Sequence, residues 1–126
     1  MANAINWFEI PANNFERAVT FYSTVLDCEM QRMDLDGFRM AIFPHGEGGG
    51  GGVGGAVCSH DEFYTPSAEG TLVYLNGGDD LSVPLSRVAA AGGTVLMDKK
   101  KISDEHGYMA VFKDSEGNRV ALHSMA

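Results

Sequence analysis

Apolar and polar positions alternate over Ile5–Ile10, with Phe8 and Ile10 on one side and Trp7 and Glu9 on the other, the pattern of a half-buried strand. The period then changes. Phe15, Ala18, Val19, Tyr22, Val25 and Leu26 fall on one helical face, leaving Glu16, Arg17, Thr20 and Ser23 outside. Asn13 followed by Glu16 resembles a capping pair, with Asn14 competing for the cap. Glu29–Asp34 and Phe38–Phe43 read as strands around an Asp36-Gly37 turn, and Gly55–Ser59 as another strand.

After a loop over His60–Glu69 the pattern starts again. Thr71–Leu75 reads as a strand, and Leu81, Leu85, Val88 and Ala89 as the face of a helix capped by Asp79-Asp80 or Ser82. Pro84 lies in that helix's first turn, where its missing N–H does no harm, and Gly92-Gly93 ends it. Thr94–Met97, Tyr108–Phe112 and Arg119–His123 supply three more strands. Equivalent points stay in step: Phe15 to Leu81 is 66 residues, while Ala56 to Ala121 and Cys58 to His123 are each 65. The expectation is an α+β fold of two βαβββ modules, about 1–60 and 70–126, within a single domain spanning 1–126.

The turn cluster Asp114-Ser115-Glu116-Gly117-Asn118 lets the last two strands pair as a hairpin. In the final strand Val120 and Leu122 face a core, while Arg119, Ala121 and His123 share a polar face suited to a cavity wall. Asp-x-x-Gly-Asn after an aromatic strand resembles the closing hairpin of the vicinal-oxygen-chelate superfamily of glyoxalase I, bleomycin-resistance proteins and extradiol dioxygenases. Trp7–Pro11 followed by Asn14–Tyr22 resembles that family's first strand and helix. The resemblance implies a concave mixed sheet around one cavity, usually within a homodimer.

In the metal-using relatives the first and last strands of each module supply the ligands. Carried over by that resemblance, these positions fall on Trp7, Ala56, Thr71 and Ala121, none of which has an imidazole, carboxylate or thiolate. No metal site and no cofactor is therefore expected, except through a displaced site using Glu9 and His123. Glu9, Cys58 and His123 lie two residues along three of those strands, on the same inward face. Glu9, between Phe8 and Ile10, is either a general acid or base with a pKa raised by desolvation, or a structural carboxylate. His123 is a proton shuttle, a ligand partner or a strand-end histidine. Cys58 lines the cavity or is a small buried hydrophobe. Trp7 is core or a flat platform for a ligand, and Arg119 meets an anionic group or is a solvated mouth residue. Thr71 and Ala121 complete the ligand-binding set.

The bulk properties narrow the partners. A net charge of −8 over 126 residues repels nucleic acid and acidic membranes, and Lys99-Lys100-Lys101 is the only basic run. No apolar run reaches membrane-spanning length and no secretory leader is visible, so a cytoplasmic protein is expected. The two cysteines, Cys28 and Cys58, form neither a disulfide scaffold nor a zinc motif. The glycine-rich run at 46–55 matches Gly-x-Gly-x-x-Gly, but no helix follows it to present an N-terminus to phosphate. His45, His60 and His106 read as surface loop residues. Two functions remain open: a glyoxalase-related enzyme using Glu9 and His123 for lyase- or isomerase-type proton transfer, and a protein that binds or sequesters a small molecule without turning it over.

Overall fold

Each half of the computed structural model, which describes residues 4–44 and 52–126, lays its first and last strands side by side in parallel. In the first half β1 (Trp7–Pro11) leads into α1 (Phe15–Val25), then β2 (Gln31–Leu35), β3 (Phe38–Ile42) and β4 (Gly54–Ser59). The second half runs β5 (Val73–Asn76), α2 (Ser82–Leu85), β6 (Thr94–Ser103), β7 (Gly107–Lys113) and β8 (Arg119–Ser124). The sheet orders are β1-β4-β3-β2 and β5-β8-β7-β6, with β1 parallel to β4, β5 parallel to β8 and the other pairs antiparallel. Each half is a βαβββ module, and the fold class is the α+β arrangement expected from the repeat.

Alternation sets which face of each sheet is covered. Ile10 pairs with Val57 and Leu75 with Leu122, and all four join one apolar core with Phe21, Tyr22, Val25, Leu81 and Phe112. The core spans both modules because α1 presents Phe21 and Tyr22 to the second sheet. The Phe21 ring meets Tyr22 edge-on at 4.9 Å and Phe112 at 5.9 Å between centroids. Burying side chains of this size contributes about 1.5–3 kcal/mol each, so α1 is held by packing more than by its own propensity.

Several boundaries differ from the sequence pattern. The first strand begins at Trp7, two residues later than the alternation suggested, and β5 begins at Val73. Asn14, not Asn13, caps α1: its Oδ1 accepts the Arg17 N–H at 3.1 Å. Glu16 makes no capping box, because Arg32 and Arg39 draw its carboxylate to 2.6 and 2.8 Å. The second helix shrinks to four residues followed by turns, started by the Asp80 carboxylate accepting the Ser82 N–H. β6 runs on to Ser103, so the three lysines lie within a strand. The Asp36-Gly37 turn is present, with φ of 51° and 83°, the left-handed pair that a tight hairpin requires. His60 is half-buried and stacks on Phe38 at 4.2 Å, in contrast to the surface position expected for it. His45 and positions 46–51 of the glycine-rich run lie outside the described residues.

The 114–118 turn ties the modules together. Asp114 is buried, and its Oδ2 accepts the Tyr22 hydroxyl at 2.7 Å and Asn118 Nδ2 at 2.9 Å, while Oδ1 accepts the N–H groups of Glu116 and Asn118. Burial and the Asp114 carboxylate both raise the Tyr22 pKa well above its ordinary value, so this hydroxyl stays a donor. Glu116 Oε1 accepts the N–H groups of Asn13 and Asn14 at the start of α1, and its carboxylate is gripped by Arg17 at 2.6 and 3.1 Å. Asn118 reaches the Pro11 carbonyl at 2.7 Å and accepts the Ser67 N–H at 3.0 Å.

Burial alone would raise the Glu116 pKa; the Arg17 guanidinium, the Asn14 N–H and the Ser115 hydroxyl outweigh it and leave the group below the ordinary carboxylate range. A depressed carboxylate adds stability above its unfolded pKa and loses it as pH falls through the folded value. The stability of the native chain is therefore expected to drop as pH falls below about 4.3. Glu116→Gln should lower stability at neutral pH by about 1–3 kcal/mol and flatten that acid dependence. Urea midpoints measured across the acid range check this, and parallel curves for the two proteins would contradict it.

Candidate functional site

The faces of the sheets turned away from the helices carry the candidate residues. In the first sheet Glu9 pairs with Ala56, Pro11 with Cys58, Cys58 with Met40 and Ala56 with Ile42, so these share one face with Trp7 and Phe38. Ala56 and Cys58 are fully buried yet lie outside the main core cluster. The residues over them on this face are larger and more exposed: Trp7 is 39% exposed, and Met33 and Leu35 on the edge strand are exposed too.

Glu9 is exposed in the single chain, so the desolvation expected for it is not provided by this chain's own residues. It is instead held by two aromatic donors. Trp7 Nε1 donates to Oε2 at 3.2 Å and the Tyr64 hydroxyl donates to Oε1 at 2.7 Å. Neither a backbone N–H nor a cationic side chain is among its bonds within the described residues. Trp7 and Glu9 are two apart on one strand and so point to the same side, which is why indole and carboxylate meet.

Tyr64 is the residue that sequence reading missed. It sits in the loop between the modules, 55 positions from Glu9, and no local spacing connects the two. The available signal was the Phe63-Tyr64 pair inside an otherwise polar, proline-bearing loop. Burial, then the Glu9 carboxylate, raise the Tyr64 pKa, keeping the hydroxyl a proton donor at neutral pH. An aromatic group continues from it: Tyr64 is edge-on to Phe38, and Phe63, 73% exposed, lies 5.5 Å from both Phe38 and His60.

Cys58 is buried beside this pair. Burial first, and the Glu9 charge second, push its thiol up to about 12, so it is neutral at physiological pH and not a ready nucleophile.

The second sheet separates the other candidates. Val73 pairs with Val120 and Tyr74 with Ala121, which places Tyr74, Ala121, Arg119 and His123 on the helix-free face. Ala56 to Ala121 and Glu9 to Tyr74 are both 65 residues, so the internal counterpart of Glu9 is Tyr74 and that of Trp7 is Leu72. Thr71, expected as the counterpart of Trp7, lies one residue off that offset. It precedes β5, and the one-residue slip in the offset assigned to it changes the face on which a side chain lies. His123 Nε2 lies 2.6 Å from the His106 carbonyl, which only accepts, so this nitrogen carries hydrogen and is engaged. No hydrogen bond joins His123 to Glu9 among the described residues. Arg119 is exposed, with Nη2 3.4 Å from the Gly70 carbonyl.

The donors for a divalent metal do not fit. Trp7, Ala56, Leu72 or Thr71, Tyr74 and Ala121 offer at most hydroxyls at the positions in question, and no three His, Cys, Asp or Glu side chains converge among the described residues.

Two cavities flank the sheets elsewhere. One of about 950 Å³ lies on the helix-bearing side, lined by Phe8, Phe43, Gly55, Thr71, Val73 and Pro84 among others. Gly55 is required there, since a Cβ would overlap the Phe8 ring. The second, about 840 Å³, is lined by Tyr74, Asn76, Asp79 and His123. Trp7, Glu9 and Cys58 line neither.

No described helix is long and apolar enough to cross a membrane. Among curated proteins none matches the chain. Solved structures do. Glyoxalase I from Zea mays superposes with a TM-score of 0.69 at 16% identity, covering 94% of this chain and 45% of the maize chain. This chain thus spans less than half the length of that enzyme. A glyoxylase/bleomycin resistance protein/dioxygenase domain from Frankia sp. gives 0.69 at 16% identity over 98% of both chains. A glyoxalase/bleomycin resistance protein from Streptomyces sp. gives 0.66 at 17% identity, covering 96% of this chain and 100% of that one. At these identities the likeness shows the fold alone. The family description Glyoxalase/Bleomycin resistance protein/Dioxygenase superfamily matches residues 4–122. With that match over nearly its whole length, and with two βαβββ modules of the same strand order, this chain belongs to the Glyoxalase/Bleomycin resistance protein/Dioxygenase superfamily.

Proposed function

We propose that this chain binds a small organic molecule on the helix-free face of the first sheet, with Glu9 meeting a donor group of the ligand and Trp7 and Tyr64 flanking it. One observation carries the reading. Glu9 is fixed by two aromatic side chains and is consumed neither by backbone donors nor by an ion pair among the described residues. A structural carboxylate takes up its acceptor capacity within the fold, as Glu116 does with two backbone N–H groups and Arg17. Glu9 does not.

Proton transfer is the second reading. Tyr64 and Trp7 hold the carboxylate in one place, which suits a general base acting on a carbon acid. His123 contributes less to it, since its Nε2 is occupied by the His106 carbonyl. The two readings separate on one measurement: deuterium exchange from heavy water into a bound ligand, lost in Glu9→Gln, supports turnover, whereas binding without exchange supports sequestration. No resident metal enters either reading. Two free thiols are compatible with action in the reducing cytoplasm, which we take as the site of action.

Glu9→Gln keeps the shape and removes the charge. Because Glu9 is exposed, the melting temperature should barely move, while affinity for a responsive compound should fall roughly tenfold or more. A panel of small aromatic compounds of negative, neutral and positive charge, read by the emission of Trp7, the chain's one tryptophan, checks this. A clear loss of stability with unchanged binding would make Glu9 structural.

Elemental analysis of the purified protein is expected to find far less than one equivalent of zinc, nickel, iron or manganese. About one equivalent would overturn the metal-free reading.

The exposed edge strand Gln31–Leu35, with Met33 and Leu35 open to solvent, also leads us to infer a homodimer. Sedimentation at micromolar concentration should give about twice the chain mass; a mass of one chain would refute it.

A further inference from the structure

The charge around Glu9 narrows the ligand further, an inference that rests on the binding reading above. Several other carboxylates that side chains hold firmly meet cations. Glu16 is paired with Arg32 and Arg39, Glu116 with Arg17, and Asp80 with Lys99. Glu9 has no Lys, Arg or His within ion-pair distance among the described residues, although two side chains bond to its carboxylate. Its neighbours are aromatic instead. Trp7 and Tyr64 bond to it directly, and Phe38 and Phe63 extend the surface from Tyr64. The chain as a whole carries a net charge of −8, so an anion meets repulsion both from Glu9 and from the protein's field.

Aromatic faces attract cations through their quadrupoles, and a carboxylate fixed between them supplies the counter-charge. Each Glu9 oxygen accepts one bond from an aromatic donor, which leaves further acceptor capacity on both. The small Ala56 beside it and the neutral Cys58 thiol add no bulk and no charge that would block approach. We propose that the ligand of this site is an organic cation: a protonated amine on an aromatic body, its ammonium on Glu9 and its ring against Trp7 and the aromatic surface that continues from Tyr64.

Three probes of matched shape test the charge alone: 2-phenylethylamine, 2-phenylethanol and phenylacetate, titrated at neutral pH into the full chain and followed by Trp7 emission and calorimetry. The amine should bind at least about tenfold more tightly than the alcohol, with phenylacetate weakest, and its affinity should fall as salt is raised. Glu9→Gln should erase the preference for the amine and leave the alcohol nearly unchanged. Tyr64→Phe, which keeps the ring and frees one carboxylate oxygen, should weaken the amine less than Glu9→Gln does. If the alcohol or phenylacetate binds as tightly as the amine, the cation assignment fails while the binding reading stands. If the amine's advantage survives Glu9→Gln, the assignment of Glu9 as its counter-charge fails. If none of the three perturbs Trp7, both fail.

Discussion

The buried carboxylate of Asp114 is the constraint on which the two-module structure depends. Its four hydrogen bonds close the turn between β7 and β8 and hold the Tyr22 hydroxyl in the middle of the shared core. An acid inside an apolar core is costly unless every lone pair is used, and here the turn's own N–H groups and two side chains use them. The same five-residue turn carries Glu116 to the start of α1 and Asn118 to the end of β1. One end of the second sheet therefore sets where the first helix begins. The modules are joined by a polar clamp at the turn as well as by the packing of Phe21 and Tyr22 against Phe112.

With the modules fixed in that way, most of their helix-facing side chains are committed to the core, and the opposite faces carry Trp7, Glu9, Tyr74 and His123. On those faces the chain has small residues, Ala56 and Ala121, both fully buried and each paired in register with a large side chain, Glu9 and Tyr74. Small residues in the strand interior give larger neighbours room, and they cannot coordinate a metal. The chemistry of the first sheet is thus organised around a carboxylate and aromatic rings. The second sheet holds His123, whose ring is turned to the β6–β7 connection. The repeat in the backbone is not matched by a repeat in chemistry.

The loop between the modules takes part in the site more than a linker would. Tyr64 closes on Glu9, and Ser67 binds the Asn118 amide oxygen in the turn. The loop is therefore pinned at one end to the candidate site and at the other to the clamp. An aromatic side chain on a short tether can cover sheet surface that no strand residue reaches, because strand side chains stand nearly perpendicular to their own backbone.

Much of this was legible in the sequence, for reasons tied to short-range periodicity. Alternation placed Glu9 with Trp7 and Ala121 with His123, since parity within one strand needs no knowledge of its partners. Helical spacing located α1, turn residues located the Asp36-Gly37 and Asp114–Asn118 reversals, and the 65-residue offset revealed two modules. Where pairing between distant segments decides, the sequence was silent or misleading. The registers that pair Glu9 with Ala56 and Tyr74 with Ala121 moved the second-module counterpart off Thr71, and a slip of one residue is enough to change faces. Asn14 caps the helix with its own Oδ1, while Glu116, more than a hundred residues away, accepts the N–H groups of both Asn13 and Asn14. Periodicity by itself determined the fold class and the Trp7–Glu9 pair, whereas the positions expected to hold a metal came only from the family resemblance. Tertiary structure alone decided that the Tyr64 hydroxyl bonds to Glu9, that Glu9 stays exposed and that His123 is engaged elsewhere. The reason is physical: hydrogen bonds and burial depend on distance in space, and only folding brings positions 9, 58 and 64 together.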